Sequence, residues 1–96
     1  MIIAVLQVEI AVDGSTSLKD KRRVVRSLKD RLHREHQVSV AEVAKQDDIR
    51  RGVLGVVMAG TDAAYAQGAL DRIVDQLRAT PGFVLTNHRT EILHGN

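Results

Sequence analysis

From Ile2 to Val12 every second residue is apolar: Ile2, Ala4, Leu6, Val8, Ile10 and Val12 form one set, and the intervening set carries Gln7 and Glu9. Side chains alternate across a strand, so this period-two pattern predicts a long strand with one buried face, one that needs a covering layer. The same segment is expected to be a strand, not a secretion signal or membrane span. It has no basic leader, it contains Gln7 and Glu9, and it is too short to cross a bilayer. The expected setting is the cytoplasm, with no membrane partner.

The loop Asp13-Gly14-Ser15-Thr16-Ser17 ends that strand. Ser17 is a good N-cap with Asp20 three residues on, so a helix is predicted from Leu18 to about His36, with Leu18, Val25, Leu28 and Leu32 on one stripe. Two β-rich runs follow, Gln37 to Lys45 and Ile49 to Ala59, joined by a turn at Gln46-Asp47-Asp48; they read as an antiparallel hairpin. Thr61-Asp62 caps a second helix whose Ala66, Ala69, Leu70, Ile73, Val74 and Leu77 recur at helical spacing until Pro81-Gly82, and a last strand runs from Phe83 to about Leu93. Two right-handed strand-helix-strand units predict an α+β fold: a ferredoxin-like βαββαβ sandwich, a four-stranded antiparallel sheet with two helices on one face.

Ninety-six residues suit a single domain, 1–96, burying roughly two-thirds of the surface its unfolded chain exposes. With one Tyr and one Phe the core must be built from Val, Ile, Leu and Ala. The absence of cysteine excludes disulfides, thiolate zinc sites and a Cys nucleophile. No catalytic residue and no cofactor is implied.

Net charge is only +2, but the basic residues are unevenly placed. Eight of the fourteen fall in the first helix, against the acids Asp20, Asp30 and Glu35. At about 100° per residue Arg22, Arg26, Lys29 and His33 form one ridge, with Lys19, Arg23 and Arg34 beside it, all away from the apolar stripe. The ridge Lys19, Arg22, Arg23, Arg26, Lys29, Arg34 suits the phosphates of structured RNA or a ribosomal particle, read through backbone charge and shape. A solvated helix face is the ordinary alternative.

Other RNA-binding modes fit poorly. An RNA-recognition-motif sheet needs stacked aromatics on its central strands, which are missing here. Gly52-Val53-Leu54-Gly55 matches the GXXG string of KH domains but lies within a strand instead of between helices, where the glycines suit a bulge or close packing. The loop before the first helix is a candidate anion site, with the hydroxyls of Ser15, Thr16 and Ser17, the helix N-terminus and Lys21; the same hydroxyls also read as cap and turn residues. Lys21 falls inside the apolar arc, so its ammonium must snorkel or pair with an acid, Glu42 or Glu9.

His33 and His36 sit one turn apart, but a metal site needs a third ligand and none is assigned. The sheet face away from the helices is expected to carry Gln7, Glu9, Asn87, Arg89 and Glu91 among Ile3, Val5 and Ala11. That mixed face, or the unpaired edges of the second and fourth strands, suits a homodimer.

Ser17-Leu18-Lys19-Asp20-Lys21-Arg22-Arg23 and Val38-Ser39-Val40-Ala41-Glu42-Val43 resemble the YlxP-like family of small bacterial proteins without an established function, over essentially the whole chain. The resemblance implies a ferredoxin-like fold and, from the translation and ribosome-maturation genes that often neighbour the family's genes, a role near the ribosome. It carries over no catalytic residues. Two alternatives share the strand order. An acylphosphatase-like hydrolase needs an arginine in the first loop, and Asp13 to Ser17 has none; its asparagine has no clear counterpart in Asn87. An ACT-like ligand-binding dimer needs a glycine-rich first turn, and only Gly14 answers to that.

Overall fold

The alternating residues of the first segment separate as their spacing predicts. In the computed structural model, which describes residues 1–95, β1 (Ile2–Val12) buries Ile2, Ala4, Leu6, Val8, Ile10 and Val12, while its odd-numbered residues are half-buried or exposed. The order continues as α1 (Leu18–Glu35), β2 (Ser39–Ala44), β3 (Arg51–Gly60), α2 (Ala63–Ala79) and β4 (Phe83–His94). The sheet order is β2-β3-β1-β4 and every neighbouring pair is antiparallel, which is the ferredoxin-like α+β arrangement.

Both helices cover the face lined by the even-numbered residues of β1. Val25, Leu28 and Leu32 of α1 and Ala66, Leu70, Ile73, Val74 and Leu77 of α2 join Val40, Leu54, Val56 and Phe83 in one cluster. Burial of each large aliphatic side chain contributes about 1.5–3 kcal/mol, so a core almost without aromatic rings still drives folding. Leu18, expected on the stripe, is only half-buried at the helix start.

Several element ends differ from the sequence reading. The α1 helix stops at Glu35, because His36 is already extended (φ −137°) while its N–H still closes the last turn on Leu32 O. In the hairpin β2 begins at Ser39 and β3 at Arg51, so the connection is longer than Gln46 to Asp48. Ile49 and Arg50 are bonded within the connection and to the end of β1 and its following loop, not to β2. Asp48 Oδ1 accepts from the N–H groups of Arg50 and Arg51, Ser15 donates its hydroxyl to Ile49 O, and Arg50 O accepts from Val12 N–H.

Two bulges shape the edges. In β2 the register shifts between Glu42 and Ala44, leaving Val43 as the extra residue; in β4 it shifts at Thr86, whose hydroxyl donates to Glu9. Gly55 serves close packing, since a Cβ there would lie 3.1 Å from Val43 Cγ1.

Candidate nucleic-acid interface

The amphipathic spacing of α1 turns its basic residues outward. Lys19, Arg22, Arg23, Arg26 and Arg34 are exposed and Lys29 is half-exposed, and among the described residues none of the six has a carboxylate within 4.0 Å. Lys19, Arg22, Arg23 and Arg26 line a shallow hollow of about 320 Å³. Asp30, on the same face, is the one acid among them, and Arg31 is drawn off by Glu35 at 3.2 Å. The arrangement is a strip of outward-facing cations along one helix face, suited to neighbouring phosphates.

A second depression adjoins the strip. Arg23 and Arg31 border a groove of about 290 Å³ with Val24, Leu28, Pro81 and Phe83 in its lining, formed where α1 meets the turn between α2 and β4. The sequence held no sign of it, because its walls come from two segments far apart in the chain, Arg23 to Arg31 and Thr80 to Phe83.

The loop before α1 is engaged within the chain. Ser17 accepts from Asp20 N–H at 3.1 Å as the N-cap, and Asp20 Oδ2 accepts from both the N–H and the hydroxyl of Thr16, at 3.2 and 3.1 Å. Those two bonds, the backbone N–H first, hold the Asp20 carboxyl below the usual aspartate range. Ser15 is buried and its hydroxyl lies against Ile49 O and Ser17 O. The helix N-terminus thus receives a carboxylate from its own first turn, and the three hydroxyls act as cap and turn groups.

Lys21 is separated from these hydroxyls. Its side chain has 0% exposure, and its ammonium donates to Glu42 Oε2 at 2.6 Å, Lys45 O at 3.0 Å and Gln46 O at 3.2 Å, one acceptor for each proton. Of the two acids considered from sequence, Glu42 is the partner. Glu9 lies on the other sheet face, where Thr86 and then Lys45 bond its carboxylate and lower its pKa.

The histidines occupy separate settings. His33 is exposed, His36 Nε2 lies 2.8 Å from Gln76 Oε1, and His88 Nε2 lies 2.9 Å from an Arg78 Nη, which makes that ring nitrogen the acceptor. Among the described residues no three His, Asp or Glu side chains gather as a metal site. Gln76 also donates to Glu35 at 2.7 Å, tying the end of α1 to α2. On the open face Gln7, Glu9, Asn87 and Arg89 border a hollow of about 130 Å³.

The architecture and this outward helix define the class: a small ferredoxin-like α+β domain. The family described as protein of unknown function (DUF503) matches residues 3–90, and the chain belongs to that family. The Bacillus subtilis (strain 168) protein described as uncharacterized protein YlxP is 26% identical over 89 residues, covering 93% of this chain and 97% of that one. The resemblance read in Ser17–Arg23 and Val38–Val43 therefore extends along the chain. Among the described residues no helix is long and apolar enough to cross a membrane.

Proposed function

We propose that the protein is a non-enzymatic module that binds structured RNA, as free RNA or within a ribosomal particle, through the basic face of α1. The observation supporting this reading is the set Lys19, Arg22, Arg23, Arg26, Lys29 and Arg34 on one helix face, each without an acidic partner among the described residues. Cations left unpaired on a helix can neutralise phosphates and release their counterions, and the resulting affinity depends on local charge more than on the net +2 of the chain. Lys21, although in the same run of sequence, holds the hairpin instead of a ligand.

Sedimentation of the tagged protein from a bacterial lysate through sucrose gradients, at low and raised salt, tests the reading. Co-migration with ribosomal particles that fades as salt rises is the expected result. A protein that stays at the top of both gradients contradicts the ribosomal form of the proposal.

A further inference from the structure

The β4 strand closes one end of the sheet, with β1 as its one neighbouring strand among the described residues. Between the bulge at Thr86 and the strand end it pairs regularly with β1, Asn87 opposite Glu9 through Leu93 opposite Ile3. Asn87, His88, Arg89, Glu91 and Leu93 in this stretch are exposed, so its outer side is an open edge. The opposite edge, β2, has six residues and its own bulge. A long regular edge is a template for another strand.

The centre of this stretch is Thr90, flanked by Arg89 and Glu91. Across β1 these two residues face Gln7 and Val5, and neither has an ion-pair partner among the described residues. We infer that the protein forms a two-fold dimer by antiparallel pairing of its β4 edges about Thr90, which joins two sheets into one of eight strands.

A two-fold axis normal to the sheet keeps each side chain on its own face. With the axis at Thr90, Arg89 stands opposite Glu91 of the second copy and Glu91 opposite Arg89, while Thr90 meets Thr90 and His88 meets Ile92. Opposite charges and paired threonines at facing positions favour strand pairing. The neighbouring registers allowed by the face rule centre the axis on Arg89 or on Glu91, and each sets a charge against its like. The sequence Arg-Thr-Glu is therefore self-complementary in one local register, as an isologous interface requires.

Sedimentation equilibrium of the full chain, 10.6 kDa per protomer, supplies the test. The wild type is expected to approach twice the protomer mass. Glu91→Arg and Arg89→Glu each replace two facing attractions with repulsions and should weaken self-association about tenfold or more. The combined Arg89→Glu/Glu91→Arg chain exchanges the partners and should regain the wild-type association. Both positions altered in these chains, 89 and 91, are exposed, and circular dichroism verifies that each chain folds. A monomeric wild type at high concentration overturns the inference. So does a dimer indifferent to the single reversals, which would place the contact elsewhere, for example on the open sheet face, or a double exchange that fails to restore the dimer.

Discussion

Lys21 of α1 and Glu42 of β2 lie 2.6 Å apart, with the lysine side chain wholly buried and the carboxylate 16% exposed. Burying an ammonium costs several kcal/mol unless its protons are satisfied, and here the carboxylate shares them with two backbone carbonyls of the hairpin connection. The Lys45 backbone is left-handed (φ 59°) at this point, with its carbonyl bonded to Lys21 and its ammonium 3.2 Å from Glu9 on the opposite face. One turn residue thus links both faces of the sheet.

Removing one member of this pair should therefore be expensive. Lys21→Ala strands Glu42 and both carbonyls and is expected to lose about 3–5 kcal/mol in urea unfolding. Lys21→Met combined with Glu42→Leu, which replaces the pair with apolar groups, should recover most of that loss. A Lys21→Ala chain as stable as wild type would mean that the pair contributes nothing.

The caps offer a smaller, local effect. Asp62 Oδ1 accepts from the N–H groups of Ala64 and Tyr65 at the start of α2, so Asp62→Ala should cost about 1 kcal/mol. Asp62→Asn keeps an acceptor oxygen and should cost less. Equal losses would point to charge near the helix end instead of the hydrogen bonds.

Acid should destabilise the fold through four carboxylates. Hydrogen bonds lower the pKa of Asp20 (from Thr16) and Asp48 (from Arg50, then Arg51) below the ordinary 3.8, and those of Glu9 (from Thr86, then Lys45) and Glu35 (from Arg31, then Gln76) below 4.5. A depressed folded pKa gives stability that is fully present above the unfolded value and lost as pH falls through the folded one. The urea midpoint is therefore expected to be flat from neutral pH down to roughly pH 5 and to fall below it, and Asp48→Ala should make that fall shallower. An unchanged acid limb in Asp48→Ala would remove Asp48 from this set.

Much of the fold was legible because its signals are local. Alternation in β1, the Ser17 and Asp62 caps and the stripe of Val25, Leu28 and Leu32 each depend on residues close in sequence. Lys21 showed itself as a charge within an apolar arc, but the choice between Glu42 and Glu9 rests on the sheet register, which places those acids on opposite faces. The hairpin ends were missed because Ile49 and Arg50 are held by Ser15 and Val12, more than thirty residues away. The same limit applies to the site. Helical periodicity collects the basic strip, whereas the groove beside Arg23 exists only once Pro81 and Phe83 are brought against α1.

The most direct measurement of the basic face is the affinity of the purified protein for a ribosomal RNA stem-loop, measured by fluorescence anisotropy across a salt series, for wild type and for Arg22→Glu/Arg26→Glu/Lys29→Glu. With about four phosphates neutralised, wild-type affinity should fall on the order of a hundredfold between about 50 and 200 mM salt, and the reversed chain should bind far more weakly with a shallower slope. Binding that is unaffected by the triple reversal, or that ignores salt, would contradict a phosphate-reading role for α1.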